Sequence, residues 1–135
     1  MKPPTFEEIT ARLAKWPFPA GIDGVVGIAT GGVVPAALVA QRLGVGLRVI
    51  GLSYRDGTNA PQFEQPMIVS HVPGLGLWKR VVLVDDFYLT GKSWQVARDV
   101  LSRKIEVLPF VLSGDVDFAL YRDAKGCFEW PWNAG

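Results

Sequence analysis

Two parts of this chain repeat one layout, in which a short apolar run leads into a glycine-containing turn and then into a helical segment. The apolar runs cover residues 25–29 and 81–84, and the helical segments that follow cover residues 34–43 and 91–103. Continuous apolar runs of this length are typical of strands buried on both faces of a parallel sheet. Strands that alternate with helices predict an α/β fold with a doubly wound, mostly parallel sheet flanked by helices.

The rest of the chain fits into the same architecture. Thr5 and Glu8 form a capping-box pattern, which predicts the start of a helix. Further strands are expected at residues 47–54, 67–69 and 105–112. A length of 135 residues suits one domain, which we assign to residues 1–135.

The composition excludes several classes of protein. A formal net charge of +1 gives no strong field for a nucleic acid or a membrane surface. The single cysteine, Cys127, cannot form an internal disulfide and fits a reducing cytoplasm. No targeting segment is recognised, and the apolar residues 21–40 are interrupted by Asp23, Pro35 and several glycines. We therefore expect a cytoplasmic protein without a nucleic-acid or membrane partner.

The strongest chemical signal follows the apolar run at residues 81–84. Two adjacent carboxylates, Asp85 and Asp86, come next, and a turn of sequence T-G-K-S follows at residues 90–93. This is not a Walker A loop, because the position of that motif's first glycine is occupied by Asp86. Acids that merely cap the next helix would explain one carboxylate, but two in tandem repel each other unless a cation or several donors face them.

A sugar phosphate as ligand would explain both the acid pair and the T-G-K-S turn. Carboxylates accept hydrogen bonds from hydroxyl groups and suit Mg²⁺, which prefers oxygen ligands and keeps several of its waters. The turn at residues 90–93 opens a helix, whose free N–H groups and positive dipole end attract a phosphate. The sequence therefore predicts a ribose 5-phosphate site.

Residues 81–93 also resemble the signature of the type I phosphoribosyltransferases, which is four hydrophobic residues, two acids, a short variable stretch and T-G-x-[ST]. Residues 27–44 resemble the pyrophosphate loop and the following helix of bacterial xanthine-guanine phosphoribosyltransferases. Ser53 and Tyr54 resemble the start of that family's flexible catalytic loop, and residues 128–132 resemble the end of its small C-terminal hood. The resemblance implies a lid at about residues 55–65 and a hood at about residues 114–135.

The same resemblance implies a reaction and a set of site residues. The expected substrate is 5-phosphoribosyl 1-pyrophosphate (PRPP), used with Mg²⁺ to transfer the phosphoribosyl group to a purine-like base with release of pyrophosphate. Asp85 and Asp86 are the expected catalytic residues, holding the ribose hydroxyls and, through water, the metal. The other expected substrate contacts are Thr30, Gly31, Gly32, Tyr54, Arg55, Leu89, Thr90, Gly91, Lys92, Ser93 and Phe128.

Three positions depart from the 6-oxopurine pattern and leave the base open. Leu89 stands where an aspartate commonly handles the proton of the base, and Thr30 stands where Arg or Lys is usual. Ser113 aligns with the lysine that reads the 6-oxo group. These departures keep an alternative open, a non-catalytic regulatory protein that binds PRPP or a nucleotide. A receiver-like domain with Asp85 or Asp86 as phosphoacceptor would leave T-G-K-S unexplained.

The resemblance also implies the binding partners and the oligomeric state. The partners are PRPP and a nucleobase or nucleoside monophosphate, and we expect a homodimer or a higher homo-oligomer. Trp130 and Trp132 suit either packing or stacking on a flat base together with Phe128. The other three tryptophans, which are Trp16, Trp78 and Trp94, are expected to be packing or interface residues and not ligand contacts.

Overall fold

The computed structural model describes residues 3–53, 67–68, 70, 74–101, 103–122 and 129–133. The elements within these ranges are α1 (Phe6–Lys15), β1 (Gly24–Ala29), α2 (Val33–Leu43), β2 (Gly46–Ser53), β3 (Met67–Ile68), β4 (Arg80–Tyr88), α3 (Lys92–Val100), β5 (Glu106–Gly114), β6 (Ala119–Tyr121) and a 3₁₀ turn (Pro131–Asn133). None of the helices in these ranges has the length and apolar character needed to cross a membrane.

The strands form one sheet in the order β3-β2-β1-β4-β5-β6. Five of them are parallel, and only β3, at one edge, runs antiparallel to its neighbour β2. The predicted α/β fold with a mostly parallel sheet is confirmed. The chain goes from β1 to β2 on one side and returns to β4 on the other, so the order reverses between β1 and β4. In such sheets this reversal opens a crevice at the carboxyl ends of the strands, where ligands bind.

Alternating residues of the central strands form two hydrophobic clusters, one on each face of the sheet. On the first face, Val82 and Val84 of β4 pack with Ile9 and Leu13 of α1 and with residues of α2. On the second face, Val81 and Leu83 of β4 pack with Ala97 of α3 and with Leu101, the residue after that helix. The sheet is therefore covered on both faces, as the continuous apolar runs predicted.

The local signals account for the start of α1. The Glu8 N–H donates to Thr5 Oγ1 at 3.2 Å, and the Thr5 hydroxyl donates to Glu8 Oε1 at 3.3 Å. The predicted helix start with Thr5 as its N-cap is confirmed, although Glu8 accepts the Thr5 hydroxyl and not the Thr5 backbone N–H of a full capping box. On the side of the sheet away from the strand carboxyl ends, Asp23 Oδ2 accepts the N–H groups of Lys79 and Arg80 at 2.8 and 3.0 Å. These two bonds lower the pKa of the Asp23 carboxyl below its usual value.

Several element bounds differ from the sequence-based ones. β4 was expected to end at residue 84 but continues to Tyr88, because β5 pairs alongside it as far as Gly114. Asp85 and Asp86 are therefore strand residues and do not follow the strand. α3 was expected to reach residue 103 but ends at Val100, where Leu101 turns to extended backbone and packs into the second cluster.

β6 was not predicted at all. Its three residues, Ala119–Tyr121, are too few to show a periodicity, and the strand forms because Val111 and Ser113 of β5 pair with Ala119 and Tyr121. Part of the segment assigned to a hood at residues 114–135 is thus an edge strand of the main sheet. The predicted lid at residues 55–65 lies outside the described residues.

Candidate active site

The acid pair lies near the carboxyl end of β4. Asp85 is 8% exposed, and its Oδ1 accepts the N–H of Asp86 at 2.8 Å. Burial raises the pKa of the Asp85 carboxyl well above its usual value, and the Asp86 carboxylate raises it further by repulsion. A negative charge on Asp85 is thus unfavourable in the ligand-free protein, so a cation or hydroxyl donors that bind here would relieve an existing penalty.

The turn after β1 touches the acid pair across the crevice. A β-carbon added to Gly31 would overlap the carboxylate of Asp86, so only glycine allows this approach. The next residue, Gly32, is equally confined, because its β-carbon would lie 2.6 Å from the carbonyl oxygens of Ile28 and Val84. The peptide between Ala29 and Thr30 is cis. Two segments that are more than 50 residues apart in the sequence therefore form one site.

The T-G-K-S turn leads directly from β4 into α3. Thr90 precedes the helix, Gly91 is its N-cap residue, and Lys92 and Ser93 begin its first turn. Gly91 has a φ of +78°, and a β-carbon there would also overlap the hydroxyl of Tyr88. Both the backbone conformation and the available space demand glycine at this position.

The amino end of α3 is weakly capped by the protein. Gly91 offers no side chain to cap the helix, and among the described residues the side-chain bond to the first turn is a long one, from the Lys92 N–H to Thr90 Oγ1 at 3.4 Å. N–H groups in this position are available to an anion, and the helix dipole favours its negative charge. The predicted phosphate cradle, which is the turn at residues 90–93, therefore follows the strand that carries the acid pair and offers donors of the expected kind.

Two residues near the cradle have roles that the sequence did not reveal. Tyr88 occupies the variable part of the signature, packs against Gly91 and meets the ring of Phe118 edge-on, with ring centroids 5.1 Å apart. Ser113 is fully buried, and its hydroxyl donates to the backbone carbonyl of Asp86 at 3.4 Å. It therefore supports the strand that carries the acid pair.

Leu89 is 73% exposed, just before the cradle. This apolar side chain belongs to neither hydrophobic cluster of the described residues. By contrast, Trp130 is 1% exposed and belongs to the first hydrophobic cluster. The sequence left packing and base stacking open for Trp130, and its enclosure in the core supports packing. Tyr54, Arg55 and Phe128 lie outside the described residues.

The described residues contain no group of three or more His, Cys, Asp and Glu side chains that could enclose a metal ion. Mg²⁺ does not need such an enclosure, since it binds through one or two carboxylates together with waters and substrate phosphates. The donor set of Asp85 and Asp86, with a phosphate cradle beside it, fits this mode of binding.

Comparison with known proteins identifies the family. The sequence profile of the phosphoribosyl transferase domain matches residues 2–110. A hypothetical protein from Neisseria gonorrhoeae, solved with bound ppGpp, is 22% identical with a TM-score of 0.68, covering 99% of this chain and 91% of its own. A purine phosphoribosyltransferase from Pyrococcus horikoshii Ot3 is 26% identical with a TM-score of 0.62, covering 96% and 84%. The xanthine-guanine-hypoxanthine phosphoribosyltransferase of Helicobacter pylori is 18% identical with a TM-score of 0.67, covering 93% and 87%.

The two more remote of these structures share the fold, and the profile match extends over most of the chain, including the acid pair, the cradle and the turn after β1. The family inferred from the signature at residues 81–93 is thereby confirmed. This chain belongs to the phosphoribosyltransferase family.

Proposed function

We propose that the protein transfers the phosphoribosyl group of PRPP to a purine-like base and releases pyrophosphate. The observation that carries this proposal is the contact between Gly31 and the Asp86 carboxylate. It brings a turn of backbone N–H groups, an acid pair and a weakly capped helix end to one edge of the sheet. Pyrophosphate, ribose hydroxyls and a 5-phosphate are the three groups that such neighbours would hold.

Each part of the site has a separate task in this proposal. Asp85 and Asp86 accept hydrogen bonds from the ribose hydroxyls, and the N–H groups of Thr30 and Gly31 are proposed to donate to the pyrophosphate, since the Gly32 N–H already donates to the Ile28 carbonyl at 2.7 Å. The 5-phosphate binds at residues 90–93, where the side chain of Lys92 adds a positive charge. Tyr54 and Arg55 are proposed to contact the pyrophosphate, and Phe128 the base, on the basis of the family resemblance.

Mg²⁺ is the proposed cofactor. Asp85 and Asp86 would hold it through water, and when bound it neutralises negative charge that develops on the departing pyrophosphate. The protein's own contribution is to fix the ribose between the acid pair and the cradle, so that the anomeric carbon is presented to the base in one orientation.

The reaction breaks the bond between the anomeric carbon and a pyrophosphate oxygen and forms a bond from that carbon to a ring nitrogen of the base. The proton of that nitrogen must leave, and Leu89 has no group that accepts it. We propose that water or a carboxylate of residues 55–65, such as Asp56 or Glu64, takes the proton. The same segment is the proposed lid, which would exclude water from the reactive sugar.

A purine-like base is favoured by the name of the Pyrococcus relative, which is 26% identical to this chain. The non-catalytic alternative gains no support from the family match.

A homodimer or larger homo-oligomer is proposed from the family resemblance, and light scattering in solution measures the molar mass of the assembly. The cytoplasm is the proposed compartment because a single cysteine fits a reducing environment.

The assay for this function is pyrophosphate release from PRPP in the presence of Mg²⁺ and a panel of bases. The panel contains guanine, xanthine, hypoxanthine, adenine and, as pyrimidine comparisons, uracil and orotate. We expect release with at least one purine and none after the metal is chelated. Tight PRPP binding without turnover on any base would contradict the transferase assignment and favour the non-catalytic alternative.

The substitution Leu89→Asp is expected to raise the rate on 6-oxopurines by about tenfold, below the roughly 10²–10⁴-fold that a well-placed general base contributes. The reason is that the family resemblance places an aspartate at this position near the base, and position 89 is open to solvent, so a carboxylate there does not disturb the core. The rate of nucleotide formation with guanine, xanthine and hypoxanthine measures the effect.

Leu77→Asp is the matched control, because Leu77 is 96% exposed and precedes β4 at the opposite end of that strand. It introduces the same charge and is expected to leave the rate unchanged. An equal rise in both variants would mean that net charge, and not proton transfer at position 89, controls the rate.

A further inference from the structure

The indole of Trp94 connects the phosphate cradle to the strand that carries the acid pair. Trp94 lies in the first turn of α3, directly after Ser93, and its Nε1–H donates to the backbone carbonyl of Leu83 at 3.0 Å. Leu83 is in β4, two residues before Asp85. The bond therefore joins the helix that begins with the cradle to the strand that carries the acid pair, and these two parts of the site would hold opposite ends of a ribose 5-phosphate.

The rest of α3 gives its amino end little support. Of the nine residues in the helix, only Ala97 is buried, and Leu101 anchors the chain just after the carboxyl end. A helix this short is marginal without tertiary contacts. The half-buried ring of Trp94 packs on the second hydrophobic cluster, so this one residue supplies both an apolar contact and a hydrogen bond at the cradle.

The spacing between cradle and acid pair matters because a ribose 5-phosphate is a short, stiff ligand that must satisfy both at once. A displacement of about 1 Å in a positioned group can lower a rate by about 100-fold. The carbonyl of Leu83 belongs to a strand held between β1 and β5, so a bond to it ties the first turn of α3 to the most fixed part of the sheet.

We propose that Trp94 is a positioning residue whose indole N–H holds the cradle at the distance from Asp85 and Asp86 that a ribose 5-phosphate requires. The proposal rests on the proposed function, because it assumes that the sugar phosphate is the ligand of this site. Trp94 itself touches neither the sugar nor the phosphate in this role, so its effect is confined to ligands that use the cradle.

The test compares two ligands that would occupy different parts of the site, ribose 5-phosphate and pyrophosphate, each titrated calorimetrically with Mg²⁺. Trp94→Phe keeps an aromatic ring for the cluster and removes the N–H donor. We expect its affinity for ribose 5-phosphate to fall by about threefold to tenfold, as the loss of one hydrogen bond predicts. Its affinity for pyrophosphate, which would bind at residues 30–32, is expected to stay the same and also reports that the variant is folded.

Trp16→Phe is the matched control. Trp16 is also half-buried, but it packs in the first cluster, with its ring edge-on to Phe110 at a centroid distance of 5.4 Å. It is expected to change neither affinity, so the control separates the loss of a packed indole from the loss of this particular bond.

The outcomes are distinguishable. Equal weakening of both ligands in Trp94→Phe would show a general structural effect and overturn the positioning role, and so would unchanged affinity for both. If the wild-type protein binds neither ligand, the proposed function fails and the role of Trp94 fails with it. If the wild type binds both and only ribose 5-phosphate weakens in Trp94→Phe, the role is established.

Discussion

The double substitution Asp85→Asn and Asp86→Asn is expected to abolish PRPP binding while leaving the fold intact. Each carboxylate is proposed to accept a hydrogen bond from the ribose, and a hydrogen bond to a charged group contributes about 1.5–3 kcal/mol. Losing two of them predicts an affinity lower by roughly 10²–10⁴-fold. Calorimetric titration with PRPP and Mg²⁺ measures this change.

The stability of the same variant is expected to equal or exceed that of the wild type. Burial and the neighbouring carboxylate raise the pKa of Asp85 in the folded protein. A carboxyl with a raised pKa contributes a penalty to folding that appears as the pH rises above the unfolded value of about 3.9. Asparagine at position 85 removes that penalty, and its side-chain oxygen can still accept the backbone N–H of residue 86.

The matched control is the pair Asp99→Asn and Glu106→Gln. Both residues are exposed, and Glu106 begins β5 at the end of the sheet opposite the site. The control removes the same number of negative charges and is expected to bind PRPP as the wild type does. Unchanged PRPP affinity in the Asp85 and Asp86 variant would refute the ribose assignment.

The sequence could predict the centre of the site because parallel strands bring their carboxyl ends to one edge. Two turns far apart in the sequence, one after residue 29 and one at residues 90–93, each follow a strand that reads as buried on both faces. Their convergence follows from topology alone.

The parts that escaped prediction depend on partners distant in the sequence. The extension of β4 to Tyr88 requires the neighbouring strand β5, and β6 exists only as a pairing of three residues with that same strand. The bond from Trp94 to the Leu83 carbonyl crosses from a helix to a strand and leaves no mark on periodicity. The local sequence pattern indicates whether a segment is a helix or a strand, whereas the residues at which a strand begins and ends depend on the neighbouring strand that pairs with it.

The aromatic residues near the carboxyl terminus illustrate the same limit. From composition, Trp130 and Trp132 suited a base-stacking hood as well as a packed core. The structure stacks the two rings on each other, with centroids 5.7 Å apart and planes 11° from parallel, and Trp132 lies next to Phe6 of α1. Trp130 and Trp132 therefore pack on the first face of the sheet, with Trp132 against α1.

The substitution Trp130→Ala is expected to lower the free energy of unfolding by about 3–5 kcal/mol, the usual loss when a buried aromatic side chain is truncated. Trp130 is among the largest fully buried side chains, and it packs in the cluster with Ile9, Leu13 and Phe110. Since domains of this kind are stable by only about 5–15 kcal/mol, such a loss is a large part of the total. Urea unfolding followed by far-UV circular dichroism measures it.

Trp132→Ala is the control for this prediction, because Trp132 stacks on Trp130 but is only half-buried. Truncating it removes less surface from the core and is expected to lower the free energy of unfolding by less than half as much.

Titration of both variants with a nucleoside monophosphate tests the base-stacking role directly. Suppose that Trp130→Ala has the same free energy of unfolding as the wild type but a lower affinity for the nucleotide. The wild-type ring would then have to leave the core to meet a base, and the packed arrangement described above would be wrong. If the nucleotide affinity of the folded variant is unchanged, stacking on the base must come from a residue outside the core, for which Phe128 is the candidate.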